Sequence, residues 1–414
     1  MLRNQRGFTL IELIVTMAVF IVVIMISTDA FKVIITQSSK LMHSEESNIE
    51  GMIGLEQLRH DLQEGGFGLP YDLTTAPPQY SEAADTPAST YNDAPSGVPR
   101  AFSSGNNLSG MSNTGEDGIV YNIVNNSDYL SIRGSSVGIS NTSQRWTYLR
   151  YSSASPLPHT WSSAAENIAN NARVIVLRRA FANGGYTNQL VTDTAQLSSG
   201  NTYYSPQYNS TGFAATNFNP VTPNDVYFIY GIDDNNIRMP FNRTDYFVAT
   251  PAASGSMPAV CAPSTGILYK TSVLQADGKL SYIPLVDCVA DMQIVYGWDL
   301  RNAGASGTDG LIDTYSNADG TTVVGEAPSA DVQTALASAD GIRNSLKLIK
   351  IYLLVQNGSR DSNYTSPTAD FELFDRDNGE SSLGRTYTLA ANQMSYRWKI
   401  YRLVVRPKNL LSNQ

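Results

Sequence analysis

The sequence predicts an α+β protein in which one long N-terminal helix carries a large antiparallel β-rich head. Three observations predict it. Residues 8–26, FTLIELIVTMAVFIVVIMI, form a continuous apolar run, and from Phe31 to Leu62 apolar residues recur mostly three or four apart. Beyond a glycine-rich stop, the chain breaks into short runs of β-branched and aromatic residues bounded by Gly, Asn and Asp, the pattern of strands and turns.

The composition bounds the function. The 414 residues are 42% hydrophobic and 16% charged, which allows a sizeable core in one large domain or two smaller ones and is unlike a disordered chain. A formal net charge of −9 leaves no basic face to release phosphate counterions, so no nucleic-acid partner is expected. With 23 Tyr against 3 His, the composition suits a β-rich extracytoplasmic surface better than a proton-transfer site.

Residues 1–7 read as a short polar leader. Its cations, Arg3 and Arg6, hold it on the cytoplasmic side of a membrane. The apolar run that follows is just long enough to cross a hydrocarbon core of about 30 Å. A secretory signal places its small-residue cleavage site after the apolar stretch, whereas here Gly7 precedes it and apolar character continues into Val33, Ile34 and Ile35. Cleavage at Gly7 would therefore leave the anchor attached. Glu12 is the one formal charge in the run, and a carboxylate in hydrocarbon is costly unless neutralised or paired. With the leader gone no cation remains in the span, so a partner must come from another chain or from a freed α-amine. The alternative is a plain anchor in which Glu12 snorkels or is protonated.

Residues 8–30 thus read as the membrane half of a helix and 31–65 as its amphipathic half. The apolar stripe passes through Phe31, Leu41, Ile49, Leu55, Leu58 and Leu62, and Lys32, Lys40, Glu45, Glu50, Gln57 and Arg59 mark the opposite face, as for a helix packed by one stripe on a head. Gly65, Gly66, Gly68 and Pro70 stop it, giving about 57 residues or about 85 Å.

Residues 66–414 are expected to form the head. From 71 to 118 the chain is rich in Pro, Ser, Asn, Ala and Gly and reads as a long surface loop. Strands are expected at 119–124, 129–133, 146–151, 174–178, 226–232, 267–274, 280–285, 292–298, 346–355 and 396–405, with a short helix at 330–339. No fixed-period repeat is evident.

Few residues suggest chemistry. Cys261 and Cys288 lack the spacing and the histidine neighbours of a zinc site. In an exported chain they suit a disulfide, worth about 3 to 4 kcal/mol by loop closure; two unrelated buried thiols are the alternative. His43 and His60 lie on the helix and His159 in a Pro-rich loop, and no nucleophile elbow, phosphate loop or zinc-helix motif occurs, so no enzyme is expected. Asp309, Asp313 and Asp319, with Gly310 and Gly320, offer carboxylates beside glycine turns that suit calcium, although the spacing is not that of an EF-hand; a polar hairpin is the alternative. Residues 233–236 read as a turn. Tyr203, Tyr204, Tyr227, Phe228 and Tyr230 would serve sugar or surface binding only if exposed, and packing is their default.

Residues 7–14, GFTLIELI, resemble the prepilin peptidase recognition sequence of type IV pilins and type II secretion pseudopilins. The resemblance implies a type IV pilin-like fold, cleavage between Gly7 and Phe8, and N-methylation of Phe8. It also makes Glu12 the fifth mature residue, which pairs with the terminal amine of a neighbouring subunit. Three further stretches resemble the large W-type minor pilins and, more distantly, J-type pseudopilins: LRHDL at 58–62 leading into GGFG at 65–68, VADMQIVYGW at 289–298, and LKLIKIYLLV at 346–355 with YRWKIYR at 396–402. An Asp/Gly-rich hairpin often stands in W-type pilins where Asp309 does. Major pilins often carry a proline in the outer part of the apolar segment. None occurs here, where Asp29 closes the run and Gly51 and Gly54 are the weak points further out.

The resemblance therefore implies a minor pilin of the bacterial inner membrane, single-pass with a periplasmic head, that later joins a surface pilus. The implied partners are other pilin subunits, major and minor, the prepilin peptidase, the inner-membrane assembly platform, and lipid before assembly. A J-type tip subunit of a secretion pseudopilus is the alternative. From another class, the alternative is a membrane-anchored extracytoplasmic binding protein.

Overall fold

In the computed structural model the described residues are 10–73, 79–153, 156–182, 185–193, 203–213, 216–235, 237–253, 255–302, 305–376 and 379–410. Helix α1 (Leu10–Glu64) is continuous over 55 residues, about 80 Å, because nothing in it interrupts the i to i−4 ladder. It stops in a glycine turn in which Gly66 and Gly68 take φ values of +87° and +66°, a left-handed geometry that glycine reaches without strain. Phe67 N donates to Glu64 O at 3.0 Å and Gly66 N to Arg133 O at 2.8 Å, so the helix end is tied to the head where it stops.

The head opens with β1 (Phe102–Leu108), the short β2 (Ser112–Thr114) and β3 (Val120–Ile123), and β4 (Ser127–Gly134). An excursion follows, built of β5 (Trp146–Arg150), β6 (Arg173–Ala182), β7 (Gly185–Leu190) and β8 (Val226–Asp233). The chain returns through β9 (Asn242–Pro251), β10 (Gly266–Val273) and β11 (Leu280–Trp298), then the small strands β12 (Arg301–Asn302), β13 (Ala305–Ser306), β14 (Thr314–Asn317) and β15 (Val323–Gly325). Helices α2 (Ser329–Ala337) and α3 (Ala339–Ser345) lead into β16 (Leu346–Asn357), β17 (Asp370–Glu372), β18 (Thr386–Thr388) and β19 (Arg397–Val405).

The main sheet has 11 strands, with the path β1-β4-β9-β10-β11 continuing through β16 to β19 on one branch and β14 to β15 on another. These neighbours pair antiparallel. The 19-residue β11 joins the two ends of the sheet: Val273 faces Leu280 in the β10 pairing, while Val289 to Trp298 run opposite Val355 to Leu346 of β16. The excursion forms a separate four-stranded sheet, in the order β5-β8-β6-β7. The core beneath the main sheet includes Leu58, Leu62, Tyr246, Phe247, Ile294 and Ile351. On the opposite face of β11 and β16, Leu373 and Leu383 pack with Ala290, Val295, Tyr352 and Leu354.

Each expected strand has a counterpart, but four readings need correction. Within the expected surface loop 71–118, Glu82 and Ala88 are buried and β1 and β2 are strands, because a buried ionic cluster holds this segment inside the head. The expected strands 280–285 and 292–298 are one strand, β11. The expected helix 330–339 is two helices that meet at Ser338, whose side chain caps α3 by accepting from Gly341 N. A central strand, β9, is absent from the expected set because its polar first half lies inside the protein.

Candidate assembly surface on the spine helix

The membrane-side half of α1 is uncovered. Leu10 to Lys32 are exposed throughout, with apolar side chains from 48% exposed at Ile24 to 78% at Leu10. These 23 residues are the one stretch of helix, among the described residues, long and apolar enough to cross a membrane. An apolar surface of this extent is costly in water, and lipid or other apolar helices remove the cost. Glu12 sits in this surface with its side chain exposed, and Thr16 Oγ1 donates to the backbone carbonyls of Glu12 and Leu13, both at 2.9 Å. Gly7 and Phe8 lie outside the described residues.

The last turns of the helix, residues 51–64, are seated on the head. Gly51, Gly54, Leu55, Leu58, Asp61 and Leu62 are buried while Met52, Ile53, Glu56, Gln57, Arg59 and His60 are exposed, the spacing of one helical stripe. The stripe packs against β11, β19, β16 and β4. At Gly54 the helix approaches the strand so closely that an added Cβ would lie 2.4 Å from the Leu285 carbonyl oxygen of β11. Glycine there sets the helix-to-strand distance.

Within this apolar stripe stands a carboxylate. Asp61 is 2% exposed and pairs at 2.6 Å with the Lys270 ammonium of β10. It also accepts from Tyr246 Oη of β9 at 2.6 Å and from Gln57 Nε2 at 2.9 Å. Burial pushes its carboxyl up, but the His60 contact, the Lys270 charge and the Lys270 and Tyr246 hydrogen bonds outweigh it and hold it below the usual carboxylate value. A fully bonded buried pair of this kind specifies position, because any slip of the helix strands both charges. Beside the seat, Ile53, Ile139 and Leu285 line a cleft of about 680 Å³, in which Ile53 is 68% and Ile139 52% exposed.

A second buried cluster braces the segment after the helix. The fully buried Glu82 carboxylate bonds Arg133 Nε of β4 at 2.9 Å and Arg243 Nη1 of β9 at 3.0 Å. Its other oxygen accepts from Asp93 N and Ala94 N. Arg243 also forms a bidentate pair with Asp245, both bonds at 2.8 Å, and donates to Ala88 O at 2.7 Å. Burial raises the Glu82 carboxyl, but Arg133 and Arg243 draw it below its ordinary value. The 79–100 segment is thereby fixed on the strands.

The remaining candidates are placed as follows. Cys261 and Cys288 form a disulfide with Cα atoms 5.0 Å apart, tying the loop after β9 to the middle of β11. Asp309, Asp313 and Asp319 are not brought together, and among the described residues no three His, Cys, Asp or Glu side chains are grouped to hold a metal ion. Asp309 accepts from Leu311 N, Asp313 from Leu300 N and Arg301 N, and Asp319 from Thr321 N, so each organises local backbone. His60 lies beside Asp61, and the ring of His159 stacks on Tyr148 at 4.7 Å. Tyr203, Tyr204 and Tyr227 are buried. In the sequence Asp61 stands only within LRHDL at 58–62, and its place three residues after Leu58 on an apolar stripe is the signal that it is buried. Glu82 and Arg243 left no such signal.

A helix that is bare and apolar over residues 10–32 and seated over 51–64 on an antiparallel head has the layout of the pilin-like class. Two family models give this class its particular form: the prokaryotic N-terminal methylation motif matches residues 2–28, and type IV pilus-assembly protein W matches residues 245–409. The second match runs from β9 to just past β19. No curated protein and no solved structure matches the chain. Over these two stretches the chain is similar to type IV pilus-associated, pilin-like proteins, families that are structural rather than catalytic.

Proposed function

We propose that this chain is a minor type IV pilin: residues 1–7 are a leader removed by prepilin peptidase, and mature Phe8 is N-methylated. Residues 8–30 anchor it in the inner membrane, 31–65 continue the spine, and 66–414 form a periplasmic head that later reaches the cell surface. The observation that carries this reading is one unbroken helix that is seated on the head over residues 51–64 and uncovered and apolar over 10–32. Lipid covers the bare half before assembly and other subunits' helices cover it afterwards, so one surface serves both stages. Glu12, in the apolar surface, pairs with the N-methylated amine of a neighbouring subunit. The proline-free helix and the size of the head support a minor subunit over a major one. The exposed Ile53 and Ile139 beside the seat provide apolar contact for an adjoining head or helix.

Intact-mass and N-terminal sequencing of the protein from membranes tests this. A mature chain that starts at N-methylated Phe8 is expected. An intact Met1, or a chain cut after residue 26, would refute it. The Glu12→Ala variant is expected to be made and inserted but to be depleted from sheared filaments, and normal incorporation would remove the role given to Glu12.

A further inference from the structure

The four-stranded sheet carries a second site, independent of the spine. On β5, Trp146 and Tyr148 stand on the face opposite the buried Thr147 and Leu149. The chain then turns back so that His159 stacks on Tyr148 with centroids 4.7 Å apart, and Trp161 meets Trp146 edge to face at 5.2 Å. All four rings are half-buried. Beside the two tryptophans lies a cleft of about 580 Å³, lined by both of them and by Asn141, Gln144, Arg145 and Glu166, a size within the usual range of about 300 to 1,000 Å³ for small-molecule sites.

The indoles are held rather than loosely packed. Asn167 accepts from Trp161 N at 2.8 Å and donates to Trp161 O at 2.9 Å, and Trp161 Nε1 donates to Trp146 O at 2.8 Å. His159 N donates to Tyr148 O at 2.9 Å, which fixes the loop along the edge of β5. A half-exposed aromatic pair held this way has already lost its conformational freedom before a ligand arrives. The polar rim is underused. Among the described residues the side chains of Asn141 and Glu166 make no hydrogen bond, and Arg145 gives one N–H to Asn167 O at 2.8 Å and has no carboxylate partner.

We propose that the Trp146–Trp161 cleft binds a neutral oligosaccharide, with the C–H face of a pyranose ring against indole and its hydroxyls bonded by Asn141, Arg145 and Glu166. Flat aromatic surfaces favour the apolar face of a sugar ring. An amide, a guanidinium and a carboxylate together supply the mixed donors and acceptors that vicinal hydroxyls require. One cation and one anion in the rim cancel, so the site selects a neutral sugar rather than a uronate or sialylated one.

The test uses the full chain in lipid nanodiscs, applied to a glycan array spanning hexose, N-acetylhexosamine, deoxyhexose, uronate and sialic-acid termini. The best ligand is then titrated by saturation-transfer NMR, with decaproline as the competing aromatic-groove probe. Saturable binding of a neutral glycan is expected, weakened about ten-fold or more in Trp161→Ala and in Glu166→Gln. Glu166 is exposed, so E166Q leaves the fold intact and keeps the test valid if W161A misfolds. Binding of no glycan, binding of acidic glycans only, saturation by decaproline alone, or affinity unchanged in Glu166→Gln would overturn the proposal.

Discussion

Asp61 offers the sharpest test of how the spine is fixed to the head. In Asp61→Ala the Lys270 ammonium loses a partner at 2.6 Å and Tyr246 Oη loses its acceptor at 2.6 Å, both in the interior. Leaving a buried charge uncompensated costs about 3 to 5 kcal/mol, equivalent to a loss of about 10² to 10⁴-fold in the closed-to-open ratio of the seated helix. Lys270→Met is expected to cost a similar amount by stranding the carboxylate. The double variant Asp61→Leu, Lys270→Met removes both charges and is expected to recover most of the loss, because the large penalty belongs to the orphaned partner. Hydrogen exchange of the amides in residues 51–64, on the full chain in detergent, reads this opening directly. A loss of protection below about five-fold in the Asp61→Ala variant, or a double variant no better than the singles, would refute the claim that this pair holds the helix.

Other outcomes follow from neighbouring contacts. Gly54→Ala places a methyl 2.4 Å from the Leu285 carbonyl oxygen, so despite alanine's better helix propensity we expect a loss of about 1 to 3 kcal/mol in denaturant unfolding; a stabilised variant would show that the helix can lift freely. The Asp61 carboxyl lies below its ordinary 3.8, so its contribution is present above that pH and is lost as pH falls through the lower folded value. Acid titration should therefore release the spine below pH 3.8 in the parent, and an equal acid response in Asp61→Asn would contradict this. Glu82→Gln is expected to expose residues 79–100 to limited proteolysis, since two guanidinium groups lose their shared carboxylate; an unchanged cleavage pattern would count against the brace. Cys261→Ser with Cys288→Ser opens a loop with a sequence separation of 27 and is expected to cost about 3.5 kcal/mol, read as a lower unfolding midpoint.

What could be read from the sequence was whatever declared itself through apolar spacing. Leu55, Leu58 and Leu62 mark the seated stripe, and strands such as β16, with its run LKLIKIYLLV, are apolar along most of their length. β9 escaped because it opens Asn242, Arg243, Thr244, Asp245, residues that read as turn or surface yet are all buried; their burial depends on Glu82, far away in sequence. β1, with FSSGNNL, was hidden by the same polar character. β11 reads as two strands because Pro284, Asp287 and Cys288 interrupt its apolar pattern, and the structure absorbs the interruption as register shifts along the pairing with β10. Of the candidate sites, the disulfide followed from compartment chemistry. The aromatic cleft did not, because Trp146 and Trp161 meet only through the turn after β5.

The Glu82 cluster imposes an order on biosynthesis. Glu82 precedes Arg133 by 51 positions and Arg243 by 161, and the ribosome makes the chain from its N-terminus. A carboxylate cannot be withdrawn from water until its cations are at hand, so the stretch around Glu82 has to wait, solvated, until β9 has been made. Closure of the head is thus a late, long-range event of the kind that slows folding. During that interval the emerging chain already carries its bare apolar helix, and a membrane that takes up the helix early would keep nascent molecules from associating through it before their heads are complete.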